Sequence, residues 1–204
     1  NLFKYYISKK VIEVAYCLVV QSKDPDTNNK VAIKCIPIDN LSSENKEVEI
    51  MNSLNHPNII NCLNSFFYPA QNPRFFAIVM PLASMDLYDY TKQLGPVPEC
   101  IVCQIMYDLL NTVHFLHSND IWHRDIKPDN IFLMKESQNT AKIAIGDFGL
   151  SDYFTEDYYE GQATGTTEYA APELLEFDDS KKCRLGFKSH ARCLYILLYI
   201  IQAN

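Results

Sequence analysis

Glycine is scarce in this chain, and its distribution is uneven. The 204 residues include six glycines, and none of them precedes Gly95. Glycine lets backbone N–H groups approach a phosphate closely, because it adopts positive φ angles without a side-chain clash. The first part of the chain therefore lacks a glycine-rich phosphate loop. Its segment KKVIEVAYCLVV carries Ile12, Val14 and Cys17 instead.

Long apolar runs and an excess of positive charge are also missing. The longest apolar run, residues 194–201, is too short to span a bilayer. The net charge is −7 and the isoelectric point is about 5.2, which argues against a general binder of nucleic acid or anionic membranes. With 48% apolar and 21% charged residues, the composition is that of a globular protein with its own core. We expect neither a nucleic-acid nor a membrane partner.

Cysteine is present but gives no disulfide pattern. The seven cysteines are scattered and odd in number, and no secretory signal opens the sequence. We therefore predict a reducing compartment, cytoplasmic or nuclear, without disulfides.

A zinc site is the obvious alternative for some of these residues. Cys100, Cys103, His114 and His117 have nearly zinc-finger spacing. The same span carries apolar residues at helical intervals, namely Ile101, Ile105, Leu109, Val113 and Leu116. On a helix that rises ~1.5 Å per residue, Cys103 and His114 would lie roughly 16 Å apart, whereas zinc ligands lie within ~2.3 Å of the metal. The pattern therefore favours an amphipathic helix without a metal.

The secondary-structure pattern changes near Met80. Before that point, VAYCLVVQ and KVAIKCIPI flank the polar turn SKDPDTNN and predict a hairpin, and NCLNSFFY and RFFAIVM predict two more strands. After it, we predict helices over residues 85–93 and 98–118, then short strands at NIFLM and AKIAI. The sequence thus predicts an α+β protein divided into residues 1–80 and 81–204.

One predicted helix carries an acid on its apolar stripe. Ser42 or Ser43 can cap a helix that runs to about Leu54, and Glu47 shares a stripe with Met51 and Leu54. Because a buried carboxylate needs a partner, we expect Glu47 to contact a buried cation.

Four motifs occur in a fixed order: VAIK at 31–34, WHRDIKPDN at 122–130, IGDFGL at 145–150 and GTTEYAAPE at 165–173. Together they resemble the serine/threonine protein kinases, in particular the calmodulin-dependent or SNF1-like group. The resemblance covers residues from about 4 to 176. It implies a two-lobed protein-kinase-like fold, with a β-rich small lobe at 1–80 and an incomplete helical large lobe at 81–204.

The resemblance implies that the chain binds ATP and Mg²⁺. Lys34 would pair with the α- and β-phosphates, and Glu47 would hold Lys34 in place. Asp147 and Asn130 would bind Mg²⁺. This matches the partner that the stripe argument requires for Glu47.

The same resemblance assigns the phosphoryl-transfer residues. Asp125 would accept or orient the hydroxyl proton of a protein Ser/Thr substrate, and Lys127 would neutralise the γ-phosphate. Thr166 would tie the substrate loop to both residues.

Adenine contacts follow from the resemblance as well. Val19 and Ala32 would cover the base from one side, with Phe132 and Leu87 on the other. The hinge would be residues 81–83, where backbone groups of Pro81 and Ala83 meet the adenine edge, and Met80 would guard the pocket behind it.

Two acids suggest a basic substrate. Asp86, which we also count with the nucleotide-binding residues, and Asp129 match positions where basic-directed kinases bind arginine upstream of the acceptor.

The chain departs from the family in three places. At 12, 14 and 17 the missing glycines predict weakened ATP binding, because β-branched residues disfavour the required backbone angles. Gln162 stands at the usual phosphorylated position, so Arg124 would lack an anionic partner unless another residue replaces it, the candidates being Thr155, Glu156, Asp157, Tyr158 and Thr164.

The third departure lies in SHARCLYILLYI, where His190, Arg192 and Tyr195 occupy the diagnostic positions of a family helix. The acid that braces the catalytic loop in the family is absent, and the remaining large-lobe helices do not follow. Three interpretations stay open: a protein serine/threonine kinase, a pseudokinase that scaffolds or regulates a protein partner, and an inactive truncated fragment.

Overall fold

The computed structural model describes residues 5, 9–14, 17–37, 44–68, 75–95, 97–135, 141–154, 165–169, 190, 193–195, 198 and 201. The chain forms two compact units, one of Asn1–Asn55 with Ile60–Ala83 and one of His56–Ile59 with Ser84–Asn204. The sequence-based lobe boundary, between residues 80 and 81, stays a prediction; the compact units divide after Ala83.

The first unit contains a five-stranded antiparallel sheet with the order β1-β2-β3-β5-β4. The strands are β1 Lys9–Val14, β2 Cys17–Lys23, β3 Lys30–Pro37, β4 Asn64–Tyr68 and β5 Phe75–Pro81. β-Branched and small side chains pack together on one face of this sheet, namely Val20, Val31, Ile33, Cys35, Ala77 and Val79.

The predicted hairpin between β2 and β3 is confirmed. The Asp24 carboxylate accepts the backbone N–H groups of Asp26 at 2.8 Å and Thr27 at 2.9 Å, which closes the turn. Asn28 has a φ of 58°, a left-handed conformation that asparagine tolerates.

The predicted acid-bearing helix is also confirmed. Helix α1 spans Glu44–Ser53, and Glu47, Ile50 and Met51 are buried on its inner stripe, followed by buried Leu54. The proposed caps, Ser42 and Ser43, lie outside the described residues.

The second unit combines helices with short strands, which confirms the α+β class. Its elements are β6 Met85–Asp86, α2 Leu87–Leu94, α3 Glu99–Ser118, β7 Ile121–Trp122, β8 Ile131–Lys135, β9 Ala141–Ile145 and β10 Asp152–Tyr153. Strands β6, β8 and β9 form one antiparallel sheet and β7 pairs with β10. The prediction that residues 85–93 are all helical is wrong at its start, because Met85 and Asp86 pair with β8.

Helix α3 contains all four residues of the zinc-like pattern, so the predicted helix is confirmed. Its buried face consists of Val102, Ile105, Leu109, Thr112, Val113 and Leu116. Ile101, predicted on this face, is 41% exposed. Val102 is buried in its place, since it lies three residues before Ile105.

The segment His56–Ile59 belongs to the second unit through β9. The Ile145 N–H donates to the Asn58 carbonyl at 2.8 Å, and the Asn58 amide donates to the Ile143 carbonyl at 2.8 Å. The His56 ring lies against the Phe115 ring of α3, with 4.8 Å between centroids.

The described residues near the C-terminus are helical: 190, 193–195, 198 and 201. Of these, His190, Cys193, Leu194 and Ile201 are buried. Across the described ranges, no helix is long and apolar enough to cross a membrane.

Candidate functional site

Asp125 lies in the loop between β7 and the 3₁₀ turn Pro128–Asn130, and both of its carboxylate oxygens accept hydrogen bonds. Oδ1 accepts the Thr166 backbone N–H at 3.0 Å and the Thr166 hydroxyl at 2.7 Å. Oδ2 accepts the Asn130 amide at 2.9 Å and pairs with Lys127 Nζ at 2.8 Å. Since a carboxylate has about four acceptor positions, the Asp125 carboxylate is saturated.

Lys127 closes a three-residue ring with these groups. Its Nζ donates to the Thr166 hydroxyl oxygen at 2.7 Å, and that hydroxyl in turn donates to Asp125. The structure thus brings Thr166 to Asp125 and Lys127, which precede it by 41 and 39 residues.

Gly165 makes this approach of Thr166 possible. Its φ is +110°, and a Cβ at this position would overlap the Arg124 carbonyl oxygen. A side chain here would therefore push residues 165–166 away from the Asp125 loop.

The ring of donors shifts the pKa values of both charged members. Burial raises the pKa of Asp125, but hydrogen bonds from Lys127 and Thr166 outweigh it, and the pKa lies below its usual value. For Lys127, burial lowers the pKa, but the Asp125 carboxylate outweighs it and the pKa lies above its usual value. Asp125 and Lys127 therefore stay ionised at neutral pH.

His123 holds the backbone of Asp125 through a hydrogen bond that its buried ring accepts. The Asp125 N–H donates to His123 Nδ1 at 3.3 Å, so the ring hydrogen is on Nε2, which donates to the Gly146 carbonyl at 3.0 Å. The ring is fully buried with its edge toward Phe148, and burial lowers the pKa of His123. A neutral histidine thus connects the Asp125 loop to the segment after β9.

Arg124 has an anionic partner that the sequence analysis did not list. Its guanidinium pairs with Asp152 of β10 at 3.3 Å and donates through Nε to the Leu150 carbonyl. This corrects the expectation that Arg124 lacks a partner unless a residue of 155–164 supplies one; those residues lie outside the described ranges. The acid was missed because nothing in the sequence shows that β10 pairs with β7.

Lys34 and Glu47 form an ion pair within the first unit. Lys34 Nζ lies 2.8 Å from Glu47 Oε1 and 3.0 Å from Oε2. The Lys34 side chain is 14% exposed and that of Glu47 is 4% exposed. The predicted buried cation for Glu47 is therefore Lys34, on β3, and the pair joins α1 to the sheet.

The predicted adenine residues of the first unit lie on neighbouring strands. Val19 on β2 is opposite Lys34 on β3, and Ala32 on β3 is opposite Met80 on β5. Ala32 is buried and Val19 is half-buried. Pro81 ends β5, and the half-buried Ala83 follows it at the end of the unit. Their nucleotide roles stay predictions.

The corresponding residues of the second unit lie on β6, β8 and α2. Phe132 of β8 is opposite Asp86 of β6, and Leu87 is fully buried at the start of α2. Asp86 Oδ1 accepts the Asp89 N–H at 2.8 Å and caps α2. Burial raises the pKa of Asp86, with Asp89 and Asp129 adding to the effect. The cap is a structural function for Asp86 that the sequence analysis did not predict.

A comparison with known families agrees with this arrangement. Residues 6–197 match the family described as the protein kinase domain. The chain belongs to the protein kinase family. The predicted membership and the kinase-like α+β fold are therefore confirmed.

The relatives of this kinase domain are serine/threonine kinases. It is 31% identical over 203 residues to NUAK family SNF1-like kinase 1 of Homo sapiens, covering 96% of this chain and 30% of the relative. It is 30% identical to Myosin light chain kinase A of Dictyostelium discoideum, covering 84% of this chain and 58% of the relative. It is 29% identical to the meiosis-specific serine/threonine-protein kinase mek1 of Schizosaccharomyces pombe, covering 84% and 39%. The chain thus spans less than two thirds of each of these relatives.

The donor set of the kinase domain suits Mg²⁺, which the family generally uses together with ATP. The Asn130 amide nitrogen donates to the Asp125 backbone carbonyl at 2.8 Å and to its carboxylate at 2.9 Å, so the amide oxygen is the atom of this side chain that a metal ion would contact. Asp147 is exposed and has a φ of 61°. Amide and carboxylate oxygens are ligands that Mg²⁺ prefers. Among the described residues, no group of three or more His, Cys, Asp or Glu could hold a metal ion.

Proposed function

We propose that this kinase domain transfers the γ-phosphoryl group of ATP to serine or threonine hydroxyls of a protein substrate. The observation that carries the proposal is the closed ring of Asp125, Lys127 and Thr166. Phosphoryl transfer needs a positioned nucleophile and a cation where negative charge moves.

The geometry suggests how a substrate hydroxyl would enter. The Asp125 carboxylate has no acceptor position left, so the substrate hydroxyl must replace one donor. The Thr166 hydroxyl is the candidate, because Thr166 would keep its backbone N–H bond to the same oxygen. With its lowered pKa, Asp125 orients the hydroxyl and takes its proton late in the transfer.

Lys127 would then act on the phosphoryl group. It remains cationic, and the hydroxyl that it now contacts is the one that the substrate replaces. Its charge would stabilise the negative oxygens of the transferring group. Within the first unit, Lys34 oriented by Glu47 would bind phosphate groups of a nucleotide. Within the second unit, Asp147 and Asn130 would hold Mg²⁺, which neutralises phosphate charge.

A basic segment next to the acceptor residue fits the acidic surroundings of Asp86. Asp89 and Asp129 both raise the pKa of Asp86, so their charges reach its carboxylate. An arginine or lysine of the substrate would relieve this repulsion. We therefore propose protein substrates with basic residues before the Ser/Thr acceptor; peptides that differ only in arginine would be phosphorylated at equal rates if this is wrong.

The test is transfer of labelled phosphate from Mg·ATP to a Ser/Thr peptide mixture. We expect Asp125→Asn to lower the rate by at least about 100-fold, because the orienting carboxylate is lost. Asp120→Asn is the matched control: Asp120 is exposed outside the ring and has a φ of 53°, which asparagine accepts. Equal rates in wild type and Asp125→Asn would contradict the proposal.

A binding module without transfer is the second candidate, and one observation favours it. Strand β1 pairs with β2 at Ile12↔Val19 and Val14↔Cys17, at the place where the family has its glycine loop. The pairing has a register shift between Lys10 and Ile12, but backbone N–H groups that bond to a neighbouring strand are not available to phosphate as those of a glycine loop are. Under this proposal the kinase domain serves as a scaffold or regulator of a protein partner.

Thermal melting with and without Mg·ATP separates the two candidates. A melting temperature raised by Mg·ATP in wild type but not in Asp147→Asn supports a nucleotide site. Glycine at 12, 14 and 17 should then tighten ATP by about tenfold or more. A melt that ATP never shifts, with no transfer, favours the binding module.

A further inference from the structure

Two consecutive backbone N–H groups of the Asp125 loop donate to histidine rings. The Asp125 N–H donates to His123, as described above, and the Arg124 N–H donates to His190 Nε2 at 3.4 Å. His190 comes from the helical residues near the C-terminus and is 2% exposed. Arg124 has a φ of 65°, so its backbone needs such support to stay in the left-handed conformation.

His190 is itself held by a second histidine. Its Nδ1 lies 2.6 Å from His117 Nε2, on the last turn of α3. The ring centres are 4.9 Å apart and the planes differ by 10°. The nitrogens therefore lie between the ring centres, and the two rings meet edge to edge through one N–H···N bond.

The donors and acceptors fix both tautomers. A backbone N–H can only donate, so His190 Nε2 accepts from Arg124 and the ring hydrogen is on Nδ1. That hydrogen is donated to His117 Nε2, which places the hydrogen of His117 on Nδ1. The chain from His117 to Arg124 is complete only when both rings are neutral.

Cys193, close to His190 in the sequence, contacts a second part of the site. Cys193, three residues after His190, donates its Sγ–H to the Tyr169 carbonyl at 3.1 Å. Tyr169 closes the short turn that follows Thr166, with its N–H on the Thr166 carbonyl at 3.0 Å. His190 and Cys193 thus hold the two segments that supply Asp125 and Thr166.

We propose that His190 is a positioning residue of the kinase site: oriented by His117, it accepts the Arg124 N–H and so holds the Asp125 loop in place. In this chain a neutral histidine pair does what the sequence analysis expected from an acid and found missing. The inference rests on the proposed function for its catalytic consequence, but the hydrogen bonds themselves exist whether or not the chain transfers phosphate.

The first test uses the unsubstituted chain and does not depend on whether that chain transfers phosphate. Nitrogen-15 NMR of the whole chain should show His190 and His117 both neutral with the hydrogen on Nδ1. The Arg124 amide should exchange slowly with solvent. A hydrogen on His190 Nε2, or an Arg124 amide that exchanges as fast as an exposed one, would overturn the proposal.

The second test uses paired variants. His190→Phe keeps a planar ring but cannot accept, so the Arg124 amide should exchange at least about tenfold faster. His190→Gln keeps an acceptor and should restore protection. His117→Phe removes the acceptor for the His190 N–H, so the Arg124 amide should again exchange faster, whereas His117→Gln should leave its exchange rate unchanged. The matched control is His114→Phe, on the exposed face of α3.

Kinetics then separate this inference from the proposed function. If wild type transfers phosphate, His190→Phe should lower kcat by about 10- to 100-fold at unchanged KM, and His190→Gln should recover most of it. If wild type does not transfer phosphate, the proposed function fails, while NMR and exchange still decide on His190. Equal kcat in His190→Phe and wild type would overturn the positioning role.

Discussion

Thr166 contacts one oxygen of Asp125 twice, through its backbone N–H at 3.0 Å and through its hydroxyl at 2.7 Å. The two bonds differ in what can replace them. The N–H bond depends on the path of the chain, which Gly165 permits, whereas the hydroxyl bond depends on one side chain that a substrate hydroxyl can displace. Substitutions at these residues can therefore separate the stability of the folded loop from the binding of a substrate hydroxyl by Asp125.

Removing the Thr166 hydroxyl should destabilise the fold moderately. Thr166→Val takes a donor from Asp125 and an acceptor from Lys127, and we expect a loss of about 1.5 kcal/mol in the free energy of unfolding by urea. Thr166→Ser keeps the hydroxyl and should lose much less. Thr167→Val, at the exposed neighbour, is the control. Equal losses for Val and Ser at 166 would show that the hydroxyl bonds contribute nothing.

Replacing one member of the Lys34–Glu47 pair should destabilise the fold more than replacing both members together. Lys34→Met leaves a carboxylate that is 4% exposed without its cation, and we expect a loss of roughly 3 kcal/mol or more. Glu47→Leu should also destabilise, because it leaves the Lys34 ammonium group without its carboxylate. The double variant Lys34→Met/Glu47→Leu should be more stable than the sum of the two single losses predicts.

The control for this pair is Lys30→Met, since Lys30 is an exposed lysine on the same strand. Its effect should stay within about 0.5 kcal/mol. Strictly additive losses in the double variant, measured by chemical unfolding, would mean that the two charges do not interact.

A side chain at residue 165 should displace Thr166. Gly165→Ala places a Cβ against the Arg124 carbonyl at a φ of +110°, and we expect a loss of about 2 kcal/mol in stability. If the chain transfers phosphate, the rate of transfer should fall by a larger factor than the loss of folded protein accounts for. Glu168→Ala, at an exposed residue of the same described segment, is the control. If both substitutions are equally mild, the close approach at 165 is not needed.

Stability should fall as pH decreases below about 6.5. Burial lowers the pKa of His117 to about 4 and that of His190 well below 6.5. His114, His117 and His123 add like-charge repulsion to the pair. Between these values and 6.5 the unfolded chain binds protons that the folded chain does not, so the folded state loses stability as pH falls. Above pH 6.5 the pair contributes no pH dependence.

Urea unfolding at about pH 7.5 and about pH 5 measures this effect, with an upper limit of about 1.4 kcal/mol per pH unit for each ring. His123, whose pKa is also lowered by burial, acts in the same direction. The variant His190→Gln has one ring fewer and should show a smaller pH dependence. A free energy of unfolding that rises toward pH 5 would contradict the assignment of neutral rings.

Much of the first unit could be predicted from local patterns. Alternating β-branched residues on either side of SKDPDTNN determine the β2–β3 hairpin, because strand period and turn chemistry are local properties. The burial of Glu47 followed from helical spacing, and its need for a cation followed from the cost of an unpaired buried charge. The motif spacing then indicated Lys34 as that cation.

The sequence alone could not reveal contacts that depend on distant segments. Asp152 reaches Arg124 because β10 pairs with β7, and no local pattern in a two-residue strand predicts its partner. Met85 and Asp86 leave the predicted helix because β8 supplies hydrogen bonds that outweigh helical preference.

The sequence by itself determined the family, the α+β class and the identities of the charged residues, because these depend on residue type and spacing along the chain. Only the tertiary structure decided which donors saturate Asp125 and which ring accepts from Arg124. Hydrogen bonds require positions correct to a fraction of an ångström, and His117 and His190, 73 residues apart, acquire them only when their helices have packed.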